Sequence, residues 1–326
     1  MRSDLDAALD RAENPRVIGA AGPLGGALLV VVAGLHGNEP AGILACQRVL
    51  VAIASMPLRG RFVALRGNVA GLALGRRFVD VDLNRHWTPD RVRGLRAGAR
   101  PASVEDAELL ALDHALDDAA AHAEGARFLV DLHTTSAASV PFLLVGRRPA
   151  HLALARGMGV PLVLGLEAQL QGTMLARFAA EGWIGFGVEG GRHDDPESAE
   201  RLEAVVWLAL VNAGLLAAVD VPRLDGIRQR LTNACSGLPG AVEVQYRHAI
   251  RPSDAFRMRD GFVNFQPVVS GQTVASDWRG PVRAPETGRI LMPLYQAQGD
   301  DGFFLVRPVP RAALDADAAA AGARCA

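Results

Sequence analysis

The chain has 326 residues, half of them apolar and 21% charged, with a formal net charge of -1. That length accommodates one large domain plus a smaller one around a sizeable core. The balanced charge provides no long-range field for nucleic acid or an anionic membrane, so neither is expected as a partner. Lysine is absent throughout, which excludes both a Walker-type phosphate loop and a Schiff-base lysine.

The first residues, Met1 to Asp6, are acidic and lack the apolar stretch of a secretory signal. Ala27–Ala33 is a continuous Val-rich run, as expected of a strand buried on both faces. The run through Leu35 is too short to span a bilayer. Glu39–Ser55 reads as a helix with Pro40 in its first turn. Arg61–Leu65 reads as a strand, Val104–Ala123 as a long helix, and Arg127–Asp131 as a strand with His133 just beyond it. Pro141–Val145, Pro161–Leu164 and Ile184–Val188 are further strands. Ala150–Met158, Gly172–Glu181 and Pro196–Leu216 are the helices between and after them. This alternation predicts an α/β fold with a mixed, mostly parallel sheet flanked by helices.

The composition changes near Val221. Beyond it, long helical patterns give way to short apolar runs (Val242–Tyr246, Val263–Phe265, Gly288–Leu291 and Phe303–Val306) separated by Gly and Pro. These predict a small β-rich domain. The expected division is a catalytic domain at 1–221 and a β-rich domain at 222–326, with an Ala-rich tail from Arg311. Cys46, Cys235 and Cys325 show no CxxC spacing and read as free thiols of a reducing compartment. A cytoplasmic location is the expectation, with homo-oligomerisation left open.

In open α/β sheets, ligands bind beyond the carboxyl ends of strands. His36, His133 and Glu189 each follow a predicted strand. Two imidazoles and a carboxylate form the ligand set of a catalytic zinc site that keeps one position for water. His36-Gly37-Asn38-Glu39 with His133 can supply that set. Asp131 can then orient an imidazole from behind or hold loop backbone. Arg76, Arg77, Asn84 and Arg85 fall in one short irregular stretch, where an arginine fork can clamp a carboxylate. Asp80 and Asp82, in the same stretch, can instead simply pair with those arginines. Ser136 and Ser139 lie near His133, but no G-x-S-x-G elbow accompanies them. Phe62, Phe142, Trp183 and Trp207 sit in apolar runs and read as core.

His36-Gly37-Asn38-Glu39, then Asp82-Leu83-Asn84-Arg85, then Asp131-Leu132-His133-Thr134, then an apolar strand ending in Glu189, resembles the succinylglutamate desuccinylase/aspartoacylase family of zinc carboxypeptidase-like enzymes. Residues 247–248, 264–267 and 271–275 look like its desuccinylase side. The resemblance implies that His36, Glu39 and His133 bind one Zn2+ per chain. It implies that Arg77 polarises the scissile carbonyl, that Asn84 and Arg85 hold the substrate carboxylate, and that Glu189 is the general acid/base. It also implies that the β-rich domain caps the site and that the substrate is a small N-acyl amino acid. Arg192-His193-Asp194 departs from the family pattern and leaves the substrate open.

Two other readings compete: a zinc carboxypeptidase acting on short peptides, and a non-catalytic protein that keeps the metal pocket. Glu167 competes with Glu189 for the base role, and His193 and His86 are further candidate site histidines.

Overall fold

The computed structural model describes residues 16–310. Both the acidic N-terminal residues and the Ala-rich tail with Cys325 therefore lie outside the described residues. The fold is α/β, as the alternation predicts. Its main sheet has eleven strands in the order β1-β3-β2-β4-β7-β5-β6-β8-β14-β13-β10. These are β1 (Val17–Ala21), β2 (Leu28–Ala33), β3 (Arg61–Arg66), β4 (Arg127–Thr135), β5 (Phe142–Leu144), β6 (Leu162–Leu164), β7 (Ile184–Arg192), β8 (Ala241–Ala249), β10 (Pro267–Val268), β13 (Gly288–Leu291) and β14 (Asp301–Pro308). The centre, β3-β2-β4-β7, is parallel. β9 (Arg257–Met258), β11 (Thr273–Asp277) and β12 (Gly280–Arg283) make a separate three-stranded antiparallel sheet.

Strand β2 shows why the centre is apolar throughout. Leu29, Val31 and Ala33 face one layer, against α1 (Ala41–Ile53) and α7 (Glu197–Asn212). Leu28, Val30 and Val32 face the other, against α3 (Pro89–Arg96) and α4 (Val104–Ala120). A strand covered on both faces needs apolar residues at every position. The remaining helices are α2 (Val69–Leu74), α5 (Pro149–Ala155), α6 (Met174–Ala180) and α8 (Leu224–Ala234).

Several elements differ from the sequence expectations. Helix α1 starts at Ala41, so Glu39 precedes it instead of lying in its first turn. A residue before proline is pushed away from helical backbone, and Glu39 precedes Pro40. Strands β4 and β7 run on past their predicted ends, placing His133 and Glu189 inside them. Both residues stay in the ladder because β7 is paired on both sides: Glu189 is opposite His133 on β4 and Phe142 on β5.

Val263–Phe265 is a turn, with Phe265 at φ 66° and buried in the core beside Phe142. Its apolar character serves a turn that plugs the core, not a strand. Helix α8 lies beyond Val221, where no further helix was expected; its apolar stripe is Leu224, Ile227 and Leu231. Strands β8, β14, β13 and β10, all beyond Val221, continue the main sheet from β6. Among the described residues, no helix is long and apolar enough to cross a membrane.

Candidate active site

The parallel register assembles the site. Ala33, the last residue of β2, is opposite Leu132 on β4, and His133 is opposite Glu189 on β7. The loop leaving β2 therefore emerges beside His133. Gly34 turns that loop at φ 70°, a conformation glycine adopts without steric cost. Gly37 meets the 71–77 segment backbone to backbone. Its N–H donates to the Arg77 carbonyl at 3.1 Å, and a Cβ at this position would lie 2.0 Å from the Gly71 carbonyl carbon. This contact ties the His36–Glu39 turn to the loop that carries Arg77.

His36, Glu39 and His133 are all buried, and one ligand atom from each falls within a 4.8 Å cluster. The Nδ1 atoms of His36 and His133 each approach a different Glu39 oxygen at 3.0 Å. The Thr134 N–H also donates to Glu39 Oε2 at 3.0 Å. The opposite ring nitrogens are held by carboxylates. His36 Nε2 is 3.3 Å from Asp82 Oδ1, and His133 Nε2 is 2.8 Å from Asp131 Oδ2. The latter is a charge contact without hydrogen-bond direction, since neither Asp131 oxygen has a hydrogen-bond partner. Metal-bound histidines commonly donate their outer N–H to a carboxylate, as the His36–Asp82 contact allows. The His36–Glu39–His133 group can hold a metal ion, and its donor chemistry fits the zinc of the resemblance.

Electrostatics without a metal follow from this crowding. Burial favours a neutral Glu39, but His36 and His133 outweigh it and hold the carboxyl well below its usual range. Burial disfavours a charged His133, yet Asp131 and Glu39 raise it well above the ordinary imidazole value. Asp82 is also held low, burial being overcome by Arg77 and then His36. Glu189 shifts the other way: burial and neighbouring Glu39 push it well above the usual carboxylate range, against the pull of His133 and Arg77. Its Oε2 is buried with no protein partner.

Arg77 and Asp82 are linked by two contacts to Asp82 Oδ2, from Nη2 at 2.9 Å and Nε at 3.3 Å. Asp82 thus holds both Arg77 and His36, and its Oδ1 also accepts the Asn84 N–H at 2.9 Å. The loop is shaped from beneath by Glu105, a fully buried residue of α4. The Glu105 carboxylate accepts the N–H groups of Val79, Asp80 and Val81 and the Asn68 side-chain amide, at 2.7 to 3.2 Å.

Asn84 Oδ1 accepts the Met174 N–H at 3.0 Å, and Asn84 lines the cleft. Arg85 already has two partners: Nη1 donates to the Asn84 carbonyl and Nη2 to Asp301 Oδ2 at 2.9 Å. Arg247 pairs with the other Asp301 oxygen and donates to the Gln169 carbonyl at 2.7 Å. The cleft of about 110 Å3 brings all seven predicted residues together: His36, Glu39, Arg77, Asn84, Arg85, His133 and Glu189. Met292, Leu294, Gln296, Asp300 and Asp301 also line it.

The other candidates lie in different positions. Glu167 is exposed and lines an adjoining cavity. His86 Nδ1 is 3.9 Å from Asp106 Oδ1, outside the cleft. His193 borders the site: its Nδ1 accepts from Thr134 Oγ1 at 2.7 Å and its Nε2 donates to Gln296 Oε1 at 3.1 Å. Asn38 Nδ2 donates to the same Gln296 oxygen at 2.9 Å. Asp82's grip on His36, the Gln296 cluster and Asp301 were not foreseen. Asp82 sits in the sequence motif beside two arginines, which offered salt bridges as a sufficient explanation. Gln296 and Asp301 carry no sequence signal linking them to residues more than 200 positions away.

Residues 26–209 match the family model "Succinylglutamate desuccinylase/Aspartoacylase catalytic domain". The chain belongs to this family. A probable aspartoacylase from Parasynechococcus marenigrum is 36% identical over 142 residues, 42% of this chain and 45% of that protein. A succinylglutamate desuccinylase from Burkholderia pseudomallei is 34% identical over 116 residues, 34% of this chain and 32% of that one. The matches thus span less than half the length of these curated relatives.

Structural likeness extends further. A succinylglutamate desuccinylase from Vibrio parahaemolyticus aligns over 86% of this chain and 82% of its own, with a TM-score of 0.60 and 17% identity. The product-bound ectoine utilization protein EutE (DoeB) from Ruegeria pomeroyi aligns over 88% and 86%, with a TM-score of 0.60 and 19% identity. At these identities the likeness is one of fold.

Proposed function

We propose that this protein is a zinc-dependent hydrolase that cleaves the amide bond of a small N-acyl amino acid, releasing a carboxylic acid and a free amino acid. The observation that carries this reading is the shared cleft: the two Nδ1 atoms converge on Glu39, and the unpartnered Glu189 Oε2 lines the same space. His36, Glu39 and His133 would hold one zinc ion per chain, which supplies Lewis acidity and lowers the pKa of water toward neutrality.

In this reading the chain's own residues divide the remaining work. Glu189 takes a proton from the attacking water as its oxygen bonds to the amide carbonyl carbon. When the carbon–nitrogen bond breaks, Glu189 passes that proton to the departing nitrogen. Such general acid–base help contributes about 10²–10⁴ in rate. Arg77, held by Asp82, presents a fixed positive charge to the developing oxyanion. Asn84 and Arg85 hold the substrate's carboxylate and orient the amide. Residues after Val221 that line the cleft (Met292, Leu294, Gln296, Asp300 and Asp301) supply the cap, which favours a small substrate over a peptide.

Metal analysis and a hydrolysis panel test the proposal. The expected result is about one zinc per chain, with release of free amine from N-acetyl or N-succinyl amino acids that is lost on chelation and restored by zinc. Cleavage of peptides in preference to these compounds would support the carboxypeptidase reading instead. Protein that neither holds zinc nor gains hydrolysis when zinc is added would overturn the proposal.

A further inference from the structure

The cleft is not the only space at the site. A second cavity of about 370 Å3 adjoins it, and both are lined by Asn84, His133, Leu144, Leu166 and Leu170. Its volume lies within the range of about 300–1,000 Å3 typical of small-molecule sites. Leu129, Phe178 and Trp183, buried in one core layer, give the cavity an apolar wall, and the buried Asp131 and His151 also line it. One wall is bare strand: β7 contributes Gly185 and Gly187. A Cβ at Gly187 would meet Leu144 and Leu175 at an ordinary 3.4 Å. Glycine is therefore not required there for fit, and a side chain at 187 would occupy the chamber. Of the charged groups that line it, Arg147 pairs with Glu243 at 2.7 Å, Arg148 donates to the Ala179 carbonyl at 2.9 Å, and Asp131 lies 2.8 Å from His133 Nε2.

We propose that this chamber receives the side chain of the substrate's amino-acid half, so that the preferred substrates are N-acyl derivatives of bulky apolar amino acids, not of aspartate or glutamate. The inference rests on the deacylase reading above. Asn84 carries the argument, because it stands where cleft and chamber meet. If Asn84 and Arg85 hold the α-carboxylate, the side chain on the same carbon lies at the chamber mouth. There an isobutyl or benzyl group meets leucines and aromatic rings. A second carboxylate at that point would be desolvated in an apolar chamber, which is costly for an unpaired charge. Among the described residues lining the cleft, Arg77 is held by Asp82, Arg85 serves the α-carboxylate and shares Asp301, and Asp300 adds further negative charge.

The zinc-loaded protein is assayed with N-acetyl derivatives of alanine, leucine, phenylalanine and aspartate, and with N-succinylglutamate. Leucine and phenylalanine derivatives are expected to exceed the alanine derivative at least about 10-fold in kcat/KM, the scale of a few methylenes in an apolar pocket. Both acidic substrates should fall below alanine. Gly187→Val and Leu175→Trp, which each enlarge a residue lining the chamber, should each lower the phenylalanine-to-alanine ratio about 10-fold. Calorimetric titration with the free amino acids gives a readout independent of turnover, with phenylalanine binding more tightly than aspartate. A preference for the aspartate or glutamate substrate would overturn the chamber assignment while leaving the deacylase reading intact. Hydrolysis of none of the panel would remove that reading, and this proposal with it. Should either variant fail to fold, the substrate order of the unaltered protein still decides.

Discussion

His133 and Glu189 are register partners on neighbouring parallel strands, β4 and β7. Directly opposed residues in a ladder project to the same face. The proposed metal ligand and the proposed base are therefore set side by side by main-chain hydrogen bonds, without a loop between them. Turnover can then be separated from metal binding. Glu189→Gln should lower kcat about 10²–10⁴-fold with zinc content unchanged. Near-normal turnover would move the base role to another residue.

Asp82 joins two parts of the site, since the same carboxylate faces His36 Nε2 and the Arg77 guanidinium. Asp82→Asn should weaken zinc binding about 10–100-fold, the usual effect of losing a carboxylate behind a ligating histidine. Competition with a chromophoric chelator measures this. An unchanged affinity would show that Asp82 serves Arg77 alone.

Arg85→Ala should raise KM about 10–100-fold, the scale of a lost charge-assisted hydrogen bond, with a smaller effect on kcat. Steady-state kinetics on any accepted substrate decides the matter. An unchanged KM would argue against a carboxylate clamp at Arg85.

Glu105 is a stability prediction. Its buried carboxylate accepts four hydrogen bonds from the 68–81 region. Each buried donor left without a partner costs about 1–3 kcal/mol. Glu105→Ala should therefore lower unfolding stability by about 3 kcal/mol or more, measured by urea denaturation, and should disorder the Arg77 loop.

His151 sets a pH dependence remote from the metal ligands. Burial holds this imidazole below its ordinary value, with Arg148 acting in the same direction and the Gly185 carbonyl opposing it. The unfolded chain then binds more protons than the folded one, so stability rises with pH across the window between the lowered folded value and about 6.5. Acidification below about 6.5 should lower the melting temperature of the metal-free protein, and His151→Gln should flatten that slope. A variant with the same slope would assign it to other groups.

The central sheet and the convergence of His36, Glu39 and His133 were readable because their signals are local. Val-rich runs covered on both faces admit one interpretation, and His36, His133 and Glu189 each stand at the end of such a run. The strand extensions through His133 and Glu189 were not readable, because what prolongs them is pairing with β5 and with each other, not their own composition. Helix α8 carries little sequence signal because its stripe is only three apolar residues set among Arg, Gln and Asn. Phe265 read as strand because apolar residues at positive φ are rare. Asp301 and Gln296 reach the site through sheet order alone: β14 lies far from β4 in sequence and is brought round by β8 pairing to β6.

The backbone contact at Gly37 also limits how this site can vary over generations. With a Cβ excluded at 37 and the Arg77 carbonyl bonded to its N–H, the two loops share one spacing. An insertion in either would draw a proposed zinc ligand and the proposed oxyanion arginine out of alignment together. The stretches 34–39 and 71–77 can thus drift only as a matched pair.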